Sequence, residues 1–254
     1  MSNTSPAADQ PQDDGIRETI RTIVIAMVIA LCIRTLAFEP FNIPSSSMVP
    51  TLLIGDYLFV SKFSYGYGST GTFWGAAPFK GRIGGDDPQR GDVVVFKLQR
   101  DNSTDYIKRL IGLPGDTIQM RQGTLYINSV PVERDRLAKP VPGDDGDESF
   151  SENIVDYLEH LPNGPTHLIR KEGNDRPLDN TDLLVIPPRH YFFMGDNRDN
   201  SQDSRTPNVG FVREENLVGK ALFIFFSLEE GVHFWEFWKW PTSVRWNRLL
   251  TKIE

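Results

Sequence analysis

Three adjacent serines and one lysine carry the residue types needed for nucleophilic catalysis in this sequence. The serines stand in Pro44-Ser45-Ser46-Ser47-Met48, and Lys108 has apolar neighbours in the segment from Tyr106 to Ile111. A serine hydroxyl is a poor nucleophile until a neighbouring base removes its proton, and a lysine amine can be that base. The combination favours a serine hydrolase.

A lysine acts as a base near pH 8 only if its pKa falls about two units below the ordinary value of about 10.4, a change of roughly 3 kcal/mol. Burial among apolar residues can supply that change. In a strand, Tyr106 and Leu110 would share a face with Lys108. Two plainer interpretations stay open from spacing alone: a solvated strand lysine paired with an acid, and a polar serine turn opened by Pro44.

Histidine is another base that can activate a serine, and the chain has four: His160, His167, His190 and His233. None of them stands in a recognisable triad motif, and the nucleophile-elbow pattern G-x-S-x-G is absent from the sequence. A Ser/His/Asp triad is therefore disfavoured.

A third segment, Gly195 to Arg205, alternates acids with arginines and could form a hydrogen-bonded network that supports a site. Such a cluster of acids can also indicate calcium. However, Arg198 and Arg205 lie within it, and the spacing does not fit an EF-hand loop. The sequence therefore predicts no metal site.

The segment from Ile20 to Phe38 is mostly apolar and ends a few residues before the serines. Roughly 19 residues at about 1.5 Å each give about 28 Å, close to the hydrocarbon thickness of a bilayer. Residues 16–38 are therefore predicted to form a transmembrane anchor, with Arg21 and Arg34 near its ends. Arginines before the segment weakly favour a cytoplasmic N-terminus.

The same segment admits three other interpretations. A cleaved signal peptide is disfavoured because Arg34 stands where a small residue is needed. A lipoprotein site at Cys32 is disfavoured because the bulky Leu31 precedes the cysteine. A buried core helix remains an alternative, because the uninterrupted apolar run from Ile23 to Ile33 is short for a span.

Composition narrows the class of protein further. The net charge of -7 over 254 residues argues against a nucleic-acid partner, since phosphate binding needs concentrated Lys and Arg. Cys32 is the single cysteine, so no intrachain disulfide can form. Residues 1–15 are polar and are predicted to be a disordered cytoplasmic tail.

Beyond the anchor, short runs of Val, Ile, Phe and Tyr alternate with Gly, Pro and Asp. The predicted strands are Tyr57 to Ser61, Asp92 to Lys97, Asp105 to Ile111, Thr117 to Met120, Thr124 to Ile127, Leu183 to Ile186, Tyr191 to Met194 and Leu222 to Phe226. No other stretch shows sustained helical periodicity, so a mainly antiparallel β protein is expected. Residues 39–118 and 189–254 are predicted to form a catalytic β domain, and residues 119–188 an inserted, smaller β subdomain. Within the insertion, the stretch from Lys139 to Asp182 suggests a looser structure.

Two aromatic-rich segments lie outside these strands. The loop from Tyr65 to Pro88 is expected to be a long excursion whose aromatics pack on the sheet. The C-terminal segment from Phe234 to Arg248 combines tryptophans with Lys and Arg, which suits either a bilayer interface or a core contribution.

Four ordered segments of the chain resemble the motifs of bacterial type I signal peptidases. These segments are Pro44 to Asp56, Arg90 to Phe96, Tyr106 to Asp116 and Gly195 to Arg205. Their order, their spacing and the upstream apolar segment all agree with that family, from about Arg17 to Arg248. The resemblance implies a serine endopeptidase with a Ser/Lys dyad, and no cofactor is expected.

The resemblance also implies roles for individual residues. Ser47 matches the nucleophile and Lys108 the general base. Ser45 matches the residue whose hydroxyl joins the Ser47 backbone N–H in an oxyanion hole, which would stabilise a tetrahedral intermediate. Ser201 matches the residue that hydrogen-bonds to the lysine and orients it.

Three further positions match supporting residues of the family: Asp203 and Arg205 in a network, and Arg109 beside the base. The implied substrate is a secretory preprotein, cut after small residues at P1 and P3, which requires shallow pockets. The candidates to line these pockets flank the proposed dyad in sequence: Phe41, Ile43, Pro44, Met48, Tyr106 and Ile107.

The implied location is the bacterial cytoplasmic membrane, with a single span and the catalytic domain on the periplasmic side. The expected partners are preproteins and the lipid bilayer. Two alternatives remain: a related Ser/Lys autoprotease, and a membrane-tethered β scaffold without catalysis, in which Lys108 would be solvated.

Overall fold

The structure, a computed structural model, describes residues 13–68, 82–141, 153–173 and 175–254. Most of the predicted disordered tail and much of the predicted loop from Tyr65 to Pro88 lie outside the described residues. Within the described ranges, every pairing between strands is antiparallel, which confirms the predicted mainly antiparallel β class.

Two α-helices occur in the described part of the chain, α1 (Asp13–Leu36) and α2 (Trp240–Ser243). Helix α1 covers most of the predicted anchor, and its apolar side chains from Ile16 to Leu31 are exposed. By hydropathy and length together, no helix among the described residues qualifies as able to cross a membrane.

The strands of the first half of the chain are β1 (Phe38–Asn42), β2 (Asp56–Ser61), β3 (Tyr67–Gly68), β4 (Arg82–Ile83), β5 (Val93–Lys97), β6 (Asp105–Gly112), β7 (Thr117–Arg121) and β8 (Thr124–Ile127). Those that follow are β9 (Val130–Pro131), β10 (Glu133–Arg136), β11 (Val155–His160), β12 (Thr166–Lys171), β13 (Leu184–Val185), β14 (His190–Met194), β15 (Val212–Arg213), β16 (Leu217–Ser227) and β17 (Thr251–Lys252). Each strand expected from the sequence has a counterpart here, with bounds shifted by a few residues at most except in β16, which begins five residues earlier.

The largest sheet has eight strands, in the order β1-β2-β16-β5-β6-β14-β15, and β17 pairs with β16. Its central strand β5 is an apolar run apart from Lys97, and all but this last residue are buried. A strand covered on both faces needs such a run. Strand β1 lies at one edge of the sheet, where Pro40 removes no ladder hydrogen bond that a second neighbour would need.

Residues 119–188 include two smaller sheets. One has the order β13-β7-β8-β9 and the other β10-β11-β12. The stretch expected to be loose contains the six-residue strands β11 and β12, which pair along their whole length. The expectation of a loose stretch fails there because the charged residues of these strands are buried in ion pairs, as described below.

Three clusters of buried apolar side chains hold these sheets together. One contains Met48 and Leu52 together with residues of β2, β5 and β16, so the segment after the serines is part of the core. Arg248, near the C-terminus, fixes the same segment by donating hydrogen bonds to the Thr51 carbonyl and to the carboxylate of Asp56.

The aromatic C-terminal segment serves partly as core and partly as surface. Trp240 packs against Phe226 of β16, with ring centroids 4.9 Å apart. Trp235, Trp238 and Trp246 are exposed.

Candidate active site

Ser47 lies in a short 3-10 turn, Ser46–Met48, that follows the extended residue Ser45. Residues 45–48 are called the serine turn below. The side chain of Met48 is completely buried in the core, and Val49 and Leu52 are buried beyond it. Ser47 itself is half-buried. The apolar residues after the serines therefore fix the turn and leave the Ser47 hydroxyl at the surface.

Lys108 lies on β6, between β5 and β14, and only 3% of its surface is exposed. Its Nζ lies 2.7 Å from Ser47 Oγ and also donates a hydrogen bond of 2.8 Å to the carbonyl of Ile107. The ring of Tyr106 lies beside the amine, 5.3 Å from Nζ to the ring centroid. The tertiary structure thus joins two residues that stand 61 positions apart in the chain.

Burial lowers the pKa of Lys108 to about 8, because removing the amine from water penalises its charged form. The carboxylates of Asp203 and Asp196 oppose this effect but do not outweigh it. A substantial fraction of the amine is therefore neutral at mildly alkaline pH. Because Lys108 is buried, it is not the solvated lysine of the plainer interpretation.

The other two serines of the predicted site lie close by. Ser45 is exposed, and its Oγ lies 3.4 Å from Ser47 Oγ. Ser201 is 7% exposed, and its Oγ is buried with no hydrogen-bond partner. The hydrogen bond to Lys108 that the family resemblance implied is therefore not formed in this structure.

Gly195 allows the two serine segments to approach each other. A Cβ at this position would lie 2.2 Å from Ser201 Oγ and 2.4 Å from the carbonyl oxygen of Ser47. Real Cβ contacts do not come this close, and one of the two atoms belongs to the backbone of the serine turn. Any side chain at position 195 would consequently displace Ser47.

Arg109 points to the opposite face of β6 from Lys108, as successive strand residues do. Its guanidinium makes a two-pronged ion pair with Asp196 at 2.8 and 2.7 Å and donates to the carbonyl of Gly91 at 2.8 Å. Burial would raise the pKa of Asp196, but Arg109 outweighs it and holds that pKa below its ordinary value. Asp196 also accepts a hydrogen bond from Thr51, which follows the serine turn.

Asp203 and Arg205 form a second buried pair, with distances of 2.9 and 2.7 Å. Burial favours the neutral acid here too, but the charge of Arg205 lowers the pKa of Asp203 below its ordinary value. Asp203 accepts the backbone N–H of Gly195 at 3.0 Å. Arg205 donates to the carbonyl of Arg198 at 2.6 Å, so this pair ties together both ends of residues 195–205.

Residues 195–205, the acid-arginine loop, also hold the serine turn directly. Asn197 donates its backbone N–H to the Ser47 carbonyl at 3.1 Å and its Nδ2 to the Ser46 carbonyl at 3.2 Å. Asn200 donates to Ser46 Oγ at 3.2 Å. Sequence reasoning did not single out these asparagines, although both lie within the segment that it recognised.

His167 lies behind this loop and is buried, with Nε2 3.5 Å from Glu159 and 3.8 Å from Asp196. Burial, reinforced by the charge of Arg109, lowers its pKa to about 3. The imidazole is therefore neutral across the physiological range. It is not hydrogen-bonded to a serine, since neither ring nitrogen has a hydrogen-bond partner.

The residues expected to line substrate pockets differ in how deeply they are buried. Ile43 and Met48 are buried in the core beneath the serine turn, and Phe41 and Ile107 are partly buried against the same cluster. Tyr106 packs at the edge of a second cluster, and Pro44 is exposed. Phe41, Tyr106 and Ile107 thus retain some exposed surface, and Tyr106 and Ile107 contact the Lys108 amine.

Comparison with known proteins identifies the family of this chain. The sequence profile of the family described as signal peptidase, peptidase S26, matches residues 16–226. The chain is 42% identical over 255 residues to a signal peptidase I of Rickettsia conorii, covering 91% of each chain. It is 40% identical over 258 residues to a signal peptidase I of Rickettsia typhi, covering 94% of each. A solved signal peptidase I from Enterococcus faecalis is 31% identical and covers 53% of this chain and 97% of its own, but the TM-score of 0.31 supports no structural argument. The chain therefore belongs to the bacterial type I signal peptidases of the peptidase S26 family, which are serine endopeptidases.

Proposed function

We propose that this chain removes N-terminal signal peptides from secretory preproteins, with Ser47 as the nucleophile and Lys108 as the general base. The observation that carries the proposal is the 2.7 Å distance between Lys108 Nζ and Ser47 Oγ, made by a lysine whose pKa is lowered to about 8. If the chain were a scaffold without catalysis, we would expect Lys108 to be solvated and its pKa to be ordinary. The burial of Lys108 counts against that alternative.

In the acylation step, Ser47 Oγ attacks the carbonyl carbon of the scissile bond while its proton passes to the neutral amine of Lys108. The carbonyl electron pair moves onto oxygen and gives a tetrahedral oxyanion. As the C–N bond breaks, the Lys108 ammonium returns the proton to the leaving amine. A water molecule then attacks the ester, Lys108 accepts its proton, and Ser47 Oγ leaves with that proton.

The oxyanion needs donors that are already in position, since preorganised donors contribute more than flexible ones. We assign this role to the backbone N–H of Ser47 and to the hydroxyl of Ser45. The 3.4 Å distance between the Ser45 and Ser47 hydroxyl oxygens supports the assignment. Asp203, Arg205 and Arg109 act at a distance by fixing the acid-arginine loop, and Ser201 is assigned the orientation of the lysine through its unpartnered hydroxyl.

We further propose that the P1 and P3 side chains occupy shallow pockets beside the dyad. Phe41, Pro44, Tyr106 and Ile107 would form the walls, and the buried Ile43 and Met48 the floor. Shallow pockets exclude large side chains by steric cost, which gives a preference for alanine-sized residues at both positions. No metal or cofactor takes part in the proposed reaction.

The rate of cleavage should depend on pH through Lys108. Because its pKa is about 8 and the neutral amine is the base, kcat/KM should rise through pH 8 and level off above about pH 9. About one tenth of the amine is neutral at pH 7. A pH profile of kcat/KM would measure this, and a midpoint near 10 would contradict the assignment of a buried base.

The direct test is cleavage of a preprotein with an Ala-x-Ala site by the detergent-solubilised full-length chain. Mass spectrometry should locate the cut after the second alanine. A matched preprotein with leucine in place of that alanine should be cut at least about tenfold more slowly, since an oversized side chain costs more than about 1.4 kcal/mol in a shallow pocket. An inert wild-type chain, or equal cleavage of both preproteins, would refute the proposal.

We propose that α1 anchors the chain in the cytoplasmic membrane as a single span, with the N-terminus in the cytoplasm and the β domain on the periplasmic side. The exposed apolar side chains of α1 support an anchor. External protease should then degrade the β domain in intact spheroplasts, while a cytoplasmic marker stays protected. Protection of the β domain would refute this orientation.

A further inference from the structure

The inserted residues 119–188 contact the acid-arginine loop through the backbone of β12. Arg170 N–H donates to the carbonyl of Asp196 at 2.8 Å, and Arg198 N–H donates to the carbonyl of Arg170 at 2.9 Å. These two bonds form an isolated parallel bridge between Arg170 and Asn197. The loop beside the serine turn is therefore attached to a strand that the catalytic sheet does not contain.

Buried charged side chains stabilise the same contact between β12 and the acid-arginine loop. Asp199, in the loop, accepts Lys171 Nζ at 2.8 Å and the backbone N–H of Glu172 at 2.7 Å. Lys171 also donates to Asp179 at 2.6 Å, and the side chains of all three ionic residues are at most 2% exposed. A charged group stays buried only when its partners are fixed, so these bonds hold Asp199 at one place on the end of β12.

The other side of the same turn contacts the serine turn. Asn200 N–H donates to the carbonyl of Asn197 at 3.1 Å, which closes a turn over residues 197–200. Asn197 in turn donates to the carbonyls of Ser47 and Ser46. One four-residue turn is thus bound to β12 through Asp199 and to the serine turn through Asn197.

We propose that Lys171 and Asp199 are positioning residues for the peptidase reaction, through which the inserted subdomain holds Ser47 at its distance from Lys108. This proposal rests on the proposed function of Ser47 and Lys108. The reaction geometry tolerates little movement, and a displacement of about 1 Å can cost about a hundredfold in rate. The insertion therefore contributes to catalysis without contacting the substrate.

The variant Asp199→Asn tests this proposal with little change in shape. It removes the charge that Lys171 contacts in the loop but leaves Lys171 paired with Asp179. A matched control is Asp156→Asn, because Asp156 makes a similar buried pair with Arg170, at 2.9 Å, within the insertion, and among the described residues its side-chain hydrogen bonds go to Arg170 and the Val141 N–H rather than to the loop. Lys171→Arg, which keeps the charge but changes the donor geometry, is the second variant if Asp199→Asn does not fold.

Two measurements decide the outcome. In preprotein cleavage, Asp199→Asn should lower kcat about 10 to 100-fold with KM and the pH midpoint near those of the wild type, while Asp156→Asn stays within about threefold. In hydrogen exchange, the amides of residues 45–52 should exchange faster in Asp199→Asn only. Equal losses in both variants at equal folded fraction, or unchanged exchange in the serine turn, would overturn the proposal. The exchange result holds even if the wild-type chain cuts no preprotein, an outcome that would refute the proposed function separately.

Discussion

Replacing Ser47 with alanine should reduce preprotein cleavage by about 10⁴-fold or more. In the proposed mechanism the covalent intermediate forms on the Ser47 hydroxyl, and loss of a serine nucleophile in other proteases costs up to about 10⁶ in kcat. The fold should be unaffected, because the hydroxyl is half-exposed and Lys108 keeps its hydrogen bond to the Ile107 carbonyl. The measurement is the initial rate of cleavage at saturating preprotein, together with the melting temperature.

The serine turn offers its own matched controls for this prediction. Ser46→Ala removes a hydroxyl of the same turn that, within the described part of the chain, accepts one bond, from Asn200, so its activity should stay within a few-fold of the wild type. Ser45→Ala removes the proposed oxyanion donor and should cost about 10² to 10³ in kcat. If Ser46→Ala were as damaging as Ser47→Ala, or if Ser47→Ala still cut, the nucleophile would be misassigned.

Replacing Lys108 with methionine should abolish cleavage to a similar extent. Methionine fills nearly the same volume but cannot accept the Ser47 proton, so the hydroxyl remains a weak nucleophile at every pH. Raising the pH should therefore restore no activity to the variant, whereas the wild type gains activity through pH 8. The measurement is the full pH profile of kcat/KM for both proteins.

The same substitution, Lys108→Met, should raise the stability of the protein while it abolishes the activity. The folded-state pKa of Lys108, about 8, lies below the ordinary value of 10.5 in the unfolded chain. Between these values the unfolded state binds more protons, so wild-type stability rises with pH there, and the destabilisation is fully present below pH 8. The Lys108→Met variant has no buried amine and therefore lacks this destabilisation. Its melting temperature should exceed that of the wild type at pH 7, with the gap narrowing towards pH 10.

The control for both effects is Lys97→Met on the neighbouring strand β5. Lys97 pairs with Asp105 at 3.0 Å near the surface, and it does not contact Ser47. This variant should keep its activity and its pH profile. Cleavage by Lys108→Met above about one tenth of the wild-type rate would show that another group is the base.

The sequence alone predicted those strands that have the composition typical of strands. Strands β2, β5, β6 and β14 are short runs of β-branched and aromatic residues bounded by turn residues, a local signal that survives without tertiary context. Strand β1 was not predicted from the sequence; it contains Pro40, and proline weakens the local strand signal. Its position at the sheet edge, where proline is tolerated, could not be seen in the sequence.

Strands β11 and β12 were missed for a different reason. The stretch from Lys139 to Asp182 has few apolar runs and was expected to be loose, yet the charged residues Glu159, Arg170 and Lys171 of these strands are buried. Whether a charge can be buried depends on a partner, and the partners of Glu159 and Lys171 in the acid-arginine loop lie 39 and 28 positions away. No local pattern encodes such a pairing.

The sequence by itself determined the residue types of the candidate site and its family, because each of the four ordered motifs is a contiguous segment that can be recognised without the structure. It left open whether Lys108 is a solvated strand lysine or a base. Only the tertiary structure shows that Lys108 is buried rather than solvated, since β6 lies between β5 and β14 and brings the amine to 2.7 Å from the half-buried Ser47. The pKa of a lysine follows from its burial and its neighbours, and both are products of contacts between distant parts of the chain.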